Sequence, residues 1–163
     1  MPATNINYRQ ASIEDDSTHA KHFYQLWQDN EVPLENIISE CLDVTLQFIH
    51  GARQELSYQA FIAESEGKII ASTGCQVFTG LYPHILTNGN RRYGYISGVY
   101  VESNHRNQGI AKQLIGMSIR HLKTIGSTKA ILHAFPLSKP VYSSLGFSHK
   151  NEMGLDLSLI PLK

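Results

Sequence analysis

The stretch HRNQGIAKQLI, His105 to Ile115, sets a basic residue, two amides and a glycine directly ahead of a helical apolar pattern. A helix starting near Ile110 leaves its first backbone amides without carbonyl partners, and the aligned peptide dipoles place partial positive charge there. An anion, phosphate above all, is the natural complement. Gly109 lets the backbone come close to such a ligand and take torsions closed to other residues. Arg106 can add charge, and Asn107 and Gln108 can add donors. The stretch lacks the lysine and hydroxyl of a P-loop, and its spacing is not that of a dinucleotide fingerprint. Taken alone it reads either as a phosphate cradle or as a polar loop capping a helix.

The elements that must position this loop are legible on both sides of it. YGYISGVYV, residues 93–101, reads as a strand leading into the loop, with Gly98 marking a bulge or a close backbone approach. Ile110, Ala111, Leu114, Ile115, Met117, Ile119 and Leu122 give the following helix an apolar face, and Gly126 can end it. KAILHAF, residues 129–135, is a further strand, and a short helix around KPVYSSLG follows. FSHKNEMGLDLSLI, residues 147–160, alternates at Leu155, Leu157 and Leu159 and predicts a closing strand. Upstream, IEDDSTHAKHFYQLWQDN carries Ala20, Phe23, Tyr24 and Trp27 at helical spacing. LENIISECLDVTLQFIHG does so with Ile37, Ile38, Cys41, Leu42, Thr45, Phe48 and Ile49, and Gly51 is its expected stop. SYQAFIAE and KIIASTGCQVF form an expected hairpin across SEG, and LYPHILTNGNRR is a loop. The order predicts an α/β domain with one mixed sheet and helices on both faces.

Composition bounds the rest. The 163 residues fit a single domain spanning 1–163, with 42% hydrophobic and 17% charged residues. Fourteen basic residues balance fourteen acidic ones, so charge points to neither nucleic acid nor membrane. Cys41 and Cys75 are too few for a disulfide framework or a thiolate zinc site, and no metal is expected. Without a signal-like N-terminus or a membrane-length apolar run, a cytoplasmic protein is the expectation.

VYVESNHRNQGIAKQLI resembles the acetyl-CoA signature of the GCN5-related N-acetyltransferases: Arg or Gln, two residues, Gly, one residue, then Gly or Ala, here Arg106, Gly109 and Ala111. LHAFPLSKPVYSSLGF resembles that family's later segment, where a tyrosine stands four residues before Gly-Phe, here Tyr142, Gly146 and Phe147. The resemblance implies the acyl-CoA N-acyltransferase (GNAT) fold, a mostly antiparallel sheet with splayed strands. It implies that the amides from Arg106 through Ala111 (Asn107, Gln108, Gly109 and Ile110 between them) hold the coenzyme A pyrophosphate, with Lys112 assisting. Asn107 and Gln108 depart from the commoner Gly and Arg, which weakens the electrostatic part of that site. Val99, Tyr100 and Val101 match the segment that pairs with the pantetheine arm, and a bulge at Gly98 fits the splay that admits the thioester. Ser138 would contact the coenzyme, or serve only as a helix cap.

The implied activity is acetyl-CoA-dependent N-acetyl transfer to a primary amine, with acetyl-CoA the cosubstrate and Tyr142 the general acid for the leaving thiolate. Without the upstream motif Tyr142 would read as a core tyrosine on a short amphipathic helix; with it, the acid role is the reading. The base is open. The position where some relatives carry an acid is Tyr95, which can relay a proton or merely pack. Glu102 at the strand end, His133 and His84 are further candidates, each with a packing or solvated alternative. Glu31, Glu35, Glu40 and Asp43 either attract a cationic amine or line solvated helix faces. A homodimer follows only from the family's habit. The rival from another class is a non-catalytic coenzyme A-binding sensor or interaction module.

Overall fold

A computed structural model describes residues 5–79, 92–150 and 153–160. The expected loop LYPHILTNGNRR, with His84, lies outside them except for Arg92. Five strands form one mixed sheet: β1 (Asn7–Gln10), β2 (Gln59–Ser65), β3 (Lys68–Val77), β4 (Tyr93–Val101) and β5 (Lys129–Ile131). They lie in that order, the first four antiparallel and β5 parallel to β4. The β2–β3 hairpin closes through Glu66 and Gly67, both at positive φ, as a two-residue turn between right-twisted strands requires. β1 has no counterpart in the sequence reading; four residues hold too little periodicity to announce a strand.

Alternation along β2 divides the interior. Phe61 and Ala63 join Ile96, Ile110, Leu114, Ile115 and Leu122 in a core beneath α3 (Ile110–Thr124). Ala60 and Ile62 face the other way, packing with Ile49 and Ala52 of α2 (Cys41–Glu55) and with Tyr58. α1 (Asp16–Asp29) packs beside α2 and across β4. Helices therefore cover both faces, as patterning predicts, and α3 ends at Thr124 just before Gly126.

Four expectations need correction. α2 runs through Gly51 to Glu55, because Leu56 and Tyr58 still donate to the Ala52 carbonyl and hold its last turn. Its apolar pattern buries only at Ile49; Ile38, Leu42 and Phe48 stay exposed. The KAILHAF strand pairs only from Lys129 to Ile131, and 132–135 leaves the sheet. The described part of 147–160 contains no strand: Leu157–Leu159 is a single 3-10 turn, with Leu155, Leu157 and Leu159 exposed. Period-two spacing builds a strand only where a neighbouring edge supplies the hydrogen bonds.

Candidate functional site

β4 runs straight into the loop that starts α3. The first bond of the helix is Gln113 N–H to the Gly109 carbonyl at 3.1 Å, and no side chain caps this end. The amides ahead of Gln113 thus have no helical carbonyl to donate to. Gly109 sits in the left-handed region at φ +79°, and Asn107 at φ +62°, one of the few non-glycine types that tolerate such torsions well.

The outer edge of β4 is open beyond its third pair. β5 pairs only with Tyr93, Gly94 and Tyr95, so the edge from Ile96 to Val101 has no strand beside it among the described residues. On the other side, β4 against β3 shifts register where Ser97 to Tyr100 faces Ser72 to Gly74, and Gly98 occupies the bulge at φ +62°. The expected bulge and splay are both present. α1 spans the gap, where the Trp27 ring meets Phe135 edge-on at 5.8 Å.

The open edge, the helix start and α4 (Lys139–Ser144) enclose a cleft of about 430 Å³. It brings together Val99, Tyr100, Val101, Arg106, Asn107, Gly109, Ile110, Ala111, Lys112, Ser138 and Tyr142. Gln108 does not line it; its side chain is exposed. Arg106 lines it, but the guanidinium is spent locally: Nε donates to the Val101 carbonyl at 2.9 Å, and Nη2 pairs with Asp29 of α1. Its charge faces the Asp29 carboxylate before any ligand arrives. Asp29, missed from sequence, belongs to the cleft by this pairing. Ser138 stands at the α4 N-cap position without making a side-chain cap bond.

Tyr142 is buried, edge-on to Phe147. Burial, and secondarily the neighbouring Tyr95 phenol, push its hydroxyl up to about 12. It is therefore a neutral donor at physiological pH. It also borders a larger cleft of about 700 Å³ between β5 and residues 143–150, which includes none of the loop amides. Tyr95 lies outside the smaller cleft, its hydroxyl 2.8 Å from His133 Nδ1 across the last β4–β5 pair. Glu102 is exposed at the end of β4, with one oxygen 3.8 Å from His22 Nε2.

The sequence reading also missed a buried polar cluster under α1. His19 Nδ1 and His22 Nδ1 lie 2.7 and 2.9 Å from the same hydroxyl, Ser72 of β3. All three are buried, and burial draws His19 down to about 4 and lowers His22, so both imidazoles are neutral. Histidines on a helix otherwise read by its aromatics give no sequence signal of a shared partner.

Comparison with known proteins agrees with this geometry. The model of the acetyltransferase (GNAT) family matches residues 21–147. A Clostridium acetobutylicum protein described as a predicted acetyltransferase, crystallised with acetyl-CoA, is 27% identical with a TM-score of 0.78, covering 94% of this chain and 97% of its own. A GCN5-related N-acetyltransferase from Ralstonia eutropha shares the fold at 23% identity and a TM-score of 0.77, covering 94% and 99%. N-acetyltransferase 8 of Rattus norvegicus is 26% identical over 140 residues, 81% of this chain; the chain spans 59% of that relative's length. A family match over most of the chain, and a cleft where the motif residues of β4, α3 and α4 converge, lead to one conclusion: this chain belongs to the GNAT acetyltransferase family.

Proposed function

We propose that the protein transfers the acetyl group of acetyl-CoA to a primary amine by direct attack on the thioester. The observation that carries this reading is the continuity of the open β4 edge with the uncapped start of α3 inside one cleft. An extended arm bearing amides can hydrogen-bond along Val99–Val101 as an added strand, and its pyrophosphate can take the amides ahead of Gln113. The residues fit that ligand. With the Arg106 charge answered by Asp29, affinity rests on backbone donors and on Lys112 at the first turn.

Orientation of amine and thioester supplies much of the rate, because it turns a bimolecular step into a local one. Amides of the bulged strand can stabilise the developing oxyanion. Tyr142, held neutral by burial, donates to the departing thiolate. Calorimetric titration with acetyl-CoA, using ADP as control, tests the binding half: acetyl-CoA should bind well above ADP, and equal binding sinks the strand-pairing role. Tyr142→Phe tests the chemistry. It should lower kcat by about 100-fold or more, the usual worth of a general acid, with acetyl-CoA affinity unchanged. Binding without turnover of any amine would instead identify a coenzyme A-binding module.

A further inference from the structure

We propose that the outer edge of β5 is an interface between two copies of this chain, each laying residues 155–160 of its tail as an added strand beside the other's β5. The proposal does not depend on the acetyl-transfer reading. Among the described residues β5 pairs with β4 alone, so its other side presents backbone donors and acceptors with no strand to take them. The cleft of about 700 Å³ runs along that side, with β5 and residues 132–134 as one wall and residues 143–150 as the other. Ala130, Leu132 and Ala134, Ile119 of α3, and Leu145 and Phe147 opposite give this slot an apolar floor. All six are half-buried and rest on the core beneath α3. Its rim is positive: Lys129, Lys139 and Lys150 line it, and among the described residues no carboxylate does.

The tail complements the slot in pattern and in charge. Leu155, Leu157 and Leu159 are 70, 73 and 75% exposed, an apolar row left in water. In an extended strand their spacing puts all three on one face and Asp156 with Ser158 on the other. Beside β5, the leucine face falls on Ala130 and Leu132 above Ile119. Lys129 and Ile131 alternate to the opposite face of β5, so Asp156 falls on the lysine side. What holds the tail in its present 3-10 turn is local: Asp156 accepts from the Ser158 amide at 2.9 Å and from its hydroxyl at 2.6 Å. An added strand exchanges those bonds for a ladder and buries the leucines. The chain's own tail is within reach of the slot and leaves it open, since Gly154 lines the cleft but the leucines after it face solvent. A second copy satisfies both surfaces together. Under two-fold symmetry each tail fills the other's slot, and no edge remains to recruit a third chain. Tyr142 borders the same slot, so the partner's tail closes the outer side of that phenol.

Two measurements test the exchange. Light scattering of the full chain at micromolar concentration should return the mass of two chains. Leu157→Asp alters a side chain that is exposed in the single chain, so the fold survives it, and the mass should drop to that of one chain. A parent that is monomeric at every concentration, or a dimer indifferent to Leu157→Asp, overturns the proposal. Cross-linking then decides whose tail occupies the slot. Lys129→Cys and Asp156→Cys chains, co-expressed and oxidised, should yield a covalent two-chain species that neither variant yields alone; the single variants control for the half-exposed Cys41. No such species from a protein that is still dimeric overturns the exchange. So does a chain carrying both substitutions that closes its disulfide at the mass of one chain, because each tail then fills its own slot.

Discussion

At the scale of single residues, Asp29 sets the charge of the cleft. Its pairing with Arg106 answers the one guanidinium that the loop offers to a polyanion. Asp29→Asn should therefore tighten acetyl-CoA binding severalfold at low ionic strength, with the gain shrinking as salt screens it; titrations at two salt concentrations check both points. His19 carries a second prediction. Its folded-state pKa, about 4, lies below the ordinary value of 6.5. The unfolded chain then binds more protons between those values, so stability is full above about 6.5 and is lost as pH falls toward 4. Melting temperatures from pH 7 to pH 5 should fall more steeply in the parent than in His19→Gln. Neither residue was legible in the sequence. Asp29 acquires its role only when the end of α1 meets a loop 77 positions away, and His19 only when α1 settles on Ser72.

At the scale of elements, two glycines at positive φ shape the site, and they should respond differently to substitution. A Cβ at Gly109 meets nothing within 4 Å, so Gly109→Ala carries only the cost of a left-handed torsion, about 1–2 kcal/mol. Gly109→Asn should recover part of that, since asparagine tolerates the region. Gly98→Ala carries the same torsional cost and also crowds His19 and Phe23. It should lose more stability than Gly109→Ala, as urea unfolding of the three variants would show. The β4–loop–α3 unit was readable because a strand pattern, a glycine and a 3.6-residue period follow one another without a gap. β5 and the tail were not, because KAILHAF and LDLSLI have strand-like spacing that only a partner edge converts into strand. Ile131 marks where that partnership stops.

At the scale of the molecule, the sheet separates two cores, and burial predicts which apolar residues matter. Leu114, fully buried beneath the sheet, should cost about 2–5 kcal/mol when replaced by alanine, whereas Phe48, more than half exposed, should cost no more than about 0.5 kcal/mol. Denaturant midpoints of the two variants separate these outcomes. By itself the sequence pointed to the family, the strand–loop–helix unit, an irregularity at Gly98 and the tyrosine of α4, all written in short contiguous patterns where residue type and backbone geometry are coupled locally. Only the tertiary structure decided that Arg106 is held by Asp29, that Gln108 lies outside the cleft lining, that β4 and β5 part after Tyr95, and that two helix histidines converge on Ser72. Those are contacts between segments far apart in the chain, and no local period or spacing encodes which distant side chain arrives to complete them.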